Sequence, residues 1–309
     1  MPELTVIIVN YNTRESLRKT LKAVGWEHEV IVVDNASADD SGQMVEMEFP
    51  YVKLIQNKKN VGFGRANNQA IDIATGDFVL FLNSDCRPRA DAIRRLIEAM
   101  GEGPDAIAVG GRLVFPNGKT QKSCANQLTM WAVFCEQTGL EKIFPWTRTF
   151  CPYWETDRLM QQPGNLHEVE QVMGACLMMK NVLKFDEKFF LYVEDTELCH
   201  RLREVGSIYY VKDAVFEHEL GASSSKTRWE AIGRYNYGKV LYFEKFYGSK
   251  AAGTCRFLNW MGGFGRLMAY LVLNLITIFL VPKFRESLGL WFKVLRSGKS
   301  GPPLPRDSR

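Results

Sequence analysis

Three runs near the start of the chain, "LTVIIV" (4–9), "EVIVVD" (29–34) and "FVLFLN" (78–83), are almost unbroken in apolar residues, and "YVKLIQ" (51–56) joins them as a fourth β-rich run. A strand that is apolar on both faces belongs in a sheet covered on both sides. Between these runs lie "TRESLRKTLKAV", "SGQMVEMEF" and "GRANNQAIDIAT", each with apolar residues at helical spacing. The alternation predicts an α/β fold, an open and mostly parallel sheet with right-handed crossovers and flanking helices. Sheets of this kind bind ligands at the carboxyl ends of their strands. The polar residues found there, Asn10, Tyr11, Asn12, Asp34, Asn35 and Asp85, are therefore candidates for a binding site.

A chain of 309 residues with 46% apolar and 24% charged residues can bury a full core, which excludes a disordered protein. The net charge of +4 is unevenly placed: residues 283–309 carry seven Lys/Arg against two Asp/Glu, which leaves the body slightly acidic. A basic tail behind the most apolar stretch of the chain points to an anionic lipid surface. The absence of a basic patch interleaved with aromatics in the body argues against nucleic acid. Seven cysteines, an odd number without CxxC spacing, predict reduced thiols in a cytoplasmic compartment. No leader peptide is expected ahead of Leu4.

Further along, "FPNGKTQ" (115–121) predicts a hairpin turn at Asn117-Gly118. Residues 123–171 are irregular and rich in Trp, Phe, Pro and Cys, as expected of an acceptor-side insertion over one end of the sheet. "VMGACLMM" predicts a strand, and "EDTELCHRLREVG" a helix closed by Gly206 with Leu198, Leu202 and Val205 facing inward. The sixteen residues 267–282, "LMAYLVLNLITIFLVP", fall short of the roughly 20 that span a bilayer. They are expected to lie in a membrane interface, flanked by Trp260, Trp291 and the basic tail; burial against the body or in a homodimer is the alternative. The expected domains are thus 1–250, a catalytic unit; 251–297, a membrane-associating helical region; and 298–309, a disordered basic tail.

Several residues carry chemistry. Asp34 at a strand end can accept from the imide N–H of a uracil or thymine ring, or make an Asx-turn. Gly62 and Gly64, ahead of a helix expected near Arg65, let backbone approach a phosphate that the Arg65 fork can hold. In "NSD", Asp85 can bind a divalent cation, Mg²⁺ or Mn²⁺, carrying a diphosphate, with Asn83 and Ser84 beside it; capping the next helix is the alternative. Glu194 and Asp195 are adjacent acids behind an aromatic run, where desolvation and like charge would raise a pKa towards base duty. His218 can complete a metal site or touch diphosphate, and Ser223–Ser225 with Lys226 can close over phosphate.

Taken together, "VIIVNYN", "VVDNAS", "NVGFGRANN", "LNSD", "GACLMMKN", "FDEKFFLYVEDTELCHRLREVG" and "FEHELGAS" resemble the family 2 inverting glycosyltransferases, most nearly the rhamnosyltransferase-like branch of bacterial polysaccharide assembly. The resemblance implies a GT-A fold and a nucleoside-diphosphate sugar donor, with dTDP-L-rhamnose the best match. By position, Asn10, Tyr11, Asn12, Asp34 and Asn35 would hold the nucleotide. Gly62, Gly64, Arg65, Asn68, Asn83 and Ser84 would line the diphosphate-sugar. Asp85 would bind the metal, His218 the metal or diphosphate, and Asp195 would be the general base with Glu194 beside it. Many relatives carry Asp-x-Asp where this chain has Asn83-Ser84-Asp85, so one formal charge is missing. The acceptor implied is a polyprenyl-diphosphate-linked saccharide, met by a peripheral enzyme at the inner face of the cytoplasmic membrane. Another donor, a soluble acceptor, or a non-catalytic nucleotide-sugar-binding scaffold are the alternatives. A dinucleotide oxidoreductase is disfavoured because the GxGxxG fingerprint is missing.

Overall fold

The computed structural model of the chain describes residues 4–219 and 228–298; the Ser223–Ser225 and Lys226 cluster and the tail from 299 lie outside them. The first half alternates as expected: β1 (Leu4–Asn10), α1 (Arg14–Val24), β2 (Glu29–Asp34), α2 (Ser41–Glu48), β3 (Lys53–Gln56), α3 (Phe63–Ile71) and β4 (Phe78–Asn83). β1 pairs in parallel with β2 on one side and β4 on the other, and β3 adds in parallel outside β2. The pattern 0,2,4 along each strand selects a face. Val6, Ile8, Val30, Val32, Leu80 and Leu82 pack under Leu17, Met44 and Leu96, while Ile7, Ile31, Val33, Val79 and Phe81 pack under Ala66, Ala70 and Leu198. Each such buried side chain contributes roughly 1.5–3 kcal/mol relative to exposure.

The second half comprises β5 (Cys86–Pro88), α4 (Ala92–Glu102), β6 (Ala106–Val114), β7 (Cys124–Ala125), α5 (Met130–Thr138), α6 (Leu140–Ile143), α7 (Thr156–Leu159), β8 (Leu166–Val169), β9 (Gln171–Val172), β10 (Cys176–Lys180), α8 (Glu194–Leu202), β11 (Ser207–His218), α9 (Arg228–Ile276) and α10 (Pro282–Arg296). The main sheet runs β3-β2-β1-β4-β10-β6-β11-β5, with β8 paired to β11. β10 is antiparallel to both β4 and β6, so the sheet becomes mixed past β4. The turn expected at Asn117-Gly118 forms: Gly118, at φ 82°, donates to Phe115 O at 2.8 Å, and Val114 bridges Thr120.

Two local expectations change. The helix predicted near Arg65 begins two residues earlier, so Gly64 lies inside it and Gly62 is its N-cap. Val205 faces solvent at 59% exposure, because α8 ends at Leu202 and a turn closed by Gly206 N to Leu202 O carries Val205 off the helical face.

α9 is broken at Gly248, whose φ of 81° lies in the left-handed region. Its residues Val240, Phe243, Ala252, Cys255 and Leu258 share a buried cluster with Ala132 and Val133 of α5 and with Phe189 and Val193. Gly262 is in close contact with α5, since a Cβ there would sit 2.3 Å from Gln137 Oε1. Arg266 donates to Gln137 O and Glu136 O, each at 3.0 Å, with its guanidinium over the Trp291 ring. One face of the chain between 251 and 266 is therefore packed on the body, while Phe257, Trp260 and Phe264 on its other face are exposed, and further exposed apolar residues follow. Ile276, Ile278 and Leu280 at the turn into α10 are 72%, 76% and 78% exposed. Among the described residues no helix is long and apolar enough to cross a membrane.

Candidate functional site

The register of the parallel strands sets Asn10 opposite Asp34 and Val9 opposite Asn83, so the polar residues that end β1, β2 and β4 meet at one edge. Asn10 is fully buried and donates to Asp34 Oδ1 at 2.8 Å and Ser37 Oγ at 3.0 Å. Its own Oδ1 accepts from Thr13 Oγ1 at 2.6 Å, and the Thr13 and Ser84 hydroxyls are 2.7 Å apart. Since the Thr13 proton is committed to Asn10, Ser84 is the donor in that pair. One line of hydrogen bonds therefore runs from Ser84 on the β4 turn to Asp34 at the end of β2.

Asp34 makes the Asx-type turn, with Oδ1 accepting from Ser37 Oγ at 2.6 Å and Oδ2 from Ser37 N at 3.1 Å. An ionised carboxylate has about four acceptor positions, so Oδ2 keeps capacity for a further donor such as a base imide. Asn12, at φ 55°, donates from its backbone to Ser37 Oγ and accepts from Ala38 N at 2.7 Å, which clasps the two loops together. Tyr11, half-buried, sits between Asn10 and Asn12 on the same turn.

Asn35 and Asn68 lie where the sequence placed them but spend their amides on the chain. Asn35 donates to Asn60 Oδ1 and Gly62 O at 3.0 and 3.2 Å and accepts from Val61 N and Asn57 Nδ2, so it holds the 57–62 loop. Asn68 exchanges two bonds with the backbone of Phe185, at 3.0 and 2.9 Å. The 185–193 segment is thus strapped to α3. At its far end Phe190 O accepts from Phe63 N at 2.8 Å, and a Cβ on Gly62, at φ 92°, would fall 2.6 Å from that same oxygen. Glycine is required there on both counts. Gly64 is tight against Phe185 Cβ, at 3.0 Å. Arg65 is exposed, with Glu187 at 3.6 Å.

Asp85 does not cap the following helix, whose N-cap is Asp91. Instead β5 pairs with the end of β11, setting Cys86 opposite His218, and Asp85 Oδ1 comes to 3.3 Å from His218 Nε2. Asn83 Nδ2 is 3.4 Å from the same nitrogen. Residues 83, 85 and 218 thus converge on one point, and both Asp85 and His218 are buried. Among the described residues no group of three or more His, Cys, Asp or Glu side chains converges. Two protein donors fit a hard cation that shares its remaining positions with phosphate oxygens and water, and do not fit an all-protein cage.

Asp195 and Glu194 open α8, after Tyr192 and Val193, both in the left-handed region at φ 71° and 72°. Backbone of this kind in a β-branched residue costs of order 1–3 kcal/mol and persists where packing over-determines it. Here Gly238 of α9 supplies that packing, since a Cβ on it would lie 2.8 Å from Tyr192 O. Asp195 Oδ2 accepts from Gly174 N at 2.9 Å, and Asn83 N donates to Ala175 O at 3.1 Å. Two hydrogen bonds and one peptide link therefore join Asn83 to Asp195. Burial pushes the Asp195 carboxyl above the usual carboxylate range. Glu194 is pushed well above it, by burial first and then by the Asp195 charge, and its Oε2 is buried without a hydrogen-bond partner. The like-charge effect expected on the base thus falls on Glu194, while Asp195 is shifted by its own desolvation.

Sequence reasoning missed Thr13, Asn60, Gln121 and Gly174. All four lie inside or beside conspicuous stretches of sequence, but their partners, from 21 to 97 residues away for Gly174, Thr13 and Gln121, are set only by the fold.

Residues 5–156 match the Glycosyl transferase family 2 model. The N-acetylglucosaminyl-diphospho-decaprenol L-rhamnosyltransferase of Mycobacterium tuberculosis is 26% identical over 70% of this chain and 76% of its own length. The succinoglycan biosynthesis protein ExoO of Rhizobium meliloti is 33% identical over 60% of this chain and 52% of its own. Among solved structures, the mannosyltransferase PcManGT of Pyrobaculum calidifontis, in complex with GDP-Man and Mn²⁺, is similar over 95% of this chain and 85% of that one, with a TM-score of 0.55 at 15% identity. That likeness is one of fold, a mixed sheet flanked by helices as in the GT-A glycosyltransferases. The matched segment runs through the strand ends that carry Asn10, Asp34 and Asp85, and over residues 5–156 the chain belongs to glycosyl transferase family 2, with a rhamnosyltransferase among its relatives.

Proposed function

We propose that this chain is an inverting glycosyltransferase that moves L-rhamnose from dTDP-L-rhamnose to a hydroxyl of a polyprenyl-diphosphate-linked saccharide in cell-surface polysaccharide assembly. The observation that carries the reading is the two-bond link from Asn83 through Ala175 and Gly174 to Asp195. In this reading Asp195, whose carboxyl pKa is raised by burial, is the base, and the link ties it to the Asn83 end of the Asn83–Asp85–His218 convergence. The sugar and the acceptor follow the name of the Mycobacterium tuberculosis relative, and the dTDP carrier follows the sequence resemblance.

In this reading Asp34 accepts from the thymine imide, and the 60–64 segment, held by Asn35, lies along the diphosphate-sugar with Arg65 at its rim. Asp195 takes the proton of the acceptor hydroxyl as its oxygen attacks the anomeric carbon in line. No covalent sugar intermediate forms, so the anomeric configuration inverts. Asp85 and His218 would hold Mg²⁺ or Mn²⁺, which when bound neutralises charge on the departing diphosphate. The test is transfer from dTDP-L-rhamnose to a short polyprenyl-diphosphate N-acetylglucosamine, followed by dTDP release; turnover with other donors only would overturn the choice of sugar.

The same reading puts the enzyme at the inner face of the membrane, where such an acceptor resides. Ile276, Ile278 and Leu280 project at the α9–α10 turn, with Lys283 and Arg285 directly behind. Apolar tips backed by basic residues suit insertion into an anionic leaflet. Replacing Ile278 and Leu280 by Ser should weaken binding to vesicles containing anionic lipid by at least about 100-fold, since each buried side chain is worth roughly 1.5–3 kcal/mol. Unchanged binding in a flotation assay would sink this role. Loss of a dimer instead, seen by sedimentation, would assign the tip to a homodimer.

A further inference from the structure

Gln121 follows the 117–118 turn and is held by its backbone N–H, which donates to Leu113 O at 2.8 Å. Its side chain is buried and clasps His218 at two points. Gln121 Nε2 donates to the His218 carbonyl oxygen at 2.6 Å, and Gln121 Oε1 lies 3.0 Å from His218 Nδ1. A backbone carbonyl can only accept, so the amide's NH₂ end must face it. Oε1 then has no choice but to face the ring, and Nδ1 must carry the hydrogen. The opposite nitrogen, Nε2, is left as an acceptor, with Asn83 Nδ2 at 3.4 Å and Asp85 Oδ1 at 3.3 Å.

Asn83 offers that lone pair only a long contact, while the carboxylate oxygen beside it repels it. The other tautomer would relieve this, with Nε2–H donating to Asp85 and filling the point where the two side chains meet. We propose that Gln121 is a positioning residue: it holds His218 in the Nδ1–H form, so that Nε2 and Asp85 are presented together, as acceptors, to a divalent cation. The inference rests on the reading that Asp85 and His218 hold that cation. An outer partner that fixes a ligating histidine in this way is typically worth 10–100-fold in metal affinity.

The experiment measures Mn²⁺ binding to the full chain in the presence of dTDP, from the electron paramagnetic resonance signal of free Mn²⁺. Gln121→Met removes both contacts and should weaken binding by 10–100-fold. Gln121→Glu keeps an acceptor for Nδ1–H and loses the donor to the carbonyl, so it should retain affinity to within a few-fold. A merely structural role for Gln121 predicts the reverse order, since a buried carboxylate facing a carbonyl is the greater disturbance to folding. His218→Ala separates the two levels of the argument. If it binds Mn²⁺ like wild type, the cation reading itself fails. If His218→Ala is weak but Gln121→Met is not, only the role of Gln121 fails. Nitrogen-15 imidazole spectra of the metal-free wild-type chain need no variant, and a His218 ring protonated at Nε2 alone would overturn the proposal.

Discussion

Asp195→Asn should lower transfer by roughly 10²–10⁴-fold, the usual contribution of a positioned general base, with donor affinity within a few-fold of wild type. The amide keeps the shape of the carboxylate but cannot take a proton. One of its ends would also face a backbone N–H, from Gly174 or Thr196, so a stability loss of about 1 kcal/mol accompanies the change. The wild-type pH profile carries the same signature. Only deprotonated Asp195 is a base, and burial raises its pKa, so transfer should fall as pH drops through a point above the usual carboxylate range. Glu194→Gln should leave that limb in place, because the Asp195 shift comes from its own burial. Both carboxyls hold protons in the folded state that the unfolded chain releases, so their effect on stability declines as pH rises through that interval. Transfer by Asp195→Asn near the wild-type rate would remove Asp195 from the chemistry.

Asp85→Ala should weaken Mn²⁺ binding with dTDP, and transfer with it, by at least about 10²-fold, the several kcal/mol typical of a lost anionic ligand at a phosphate-shared cation. The size of the effect follows from what remains. His218 would add a nitrogen ligand without negative charge, and the Asn83 amide brings no charge either. Thermal denaturation checks that the variant is folded, since Asp85 O also accepts from Glu219 N and that backbone bond is retained. Titration showing unaltered Mn²⁺ affinity would place the cation elsewhere.

The parallel half of the sheet was legible because β1, β2 and β4 are apolar on both faces, and only a doubly covered sheet accepts such strands. The direction of β10 was not. "CLMM" states that the segment is buried, and an apolar run has no sense of direction. Val205 fits a helical stripe by spacing, yet a helix that closes three residues early cannot use it. In the site, the residues at strand ends were visible because topology puts ligands there. Whether an amide faces a ligand or its own chain was not visible. Asn35 and Asn68 turn inward because their partners, the 57–62 loop and Phe185, are set by packing from separate stretches of chain. Gln121 gave no signal, since its meaning depends on a histidine 97 residues away.

The anomeric configuration of the transferred sugar tests the central claim most directly. The measurement is a proton–carbon coupling constant on the product made from dTDP-β-L-rhamnose and a polyprenyl-diphosphate N-acetylglucosamine. With a single base at Asp195 and an in-line attack, the product is the α-L-rhamnoside. A β-linked product would mean two displacements through a covalent intermediate, and would contradict the mechanism built on Asp195.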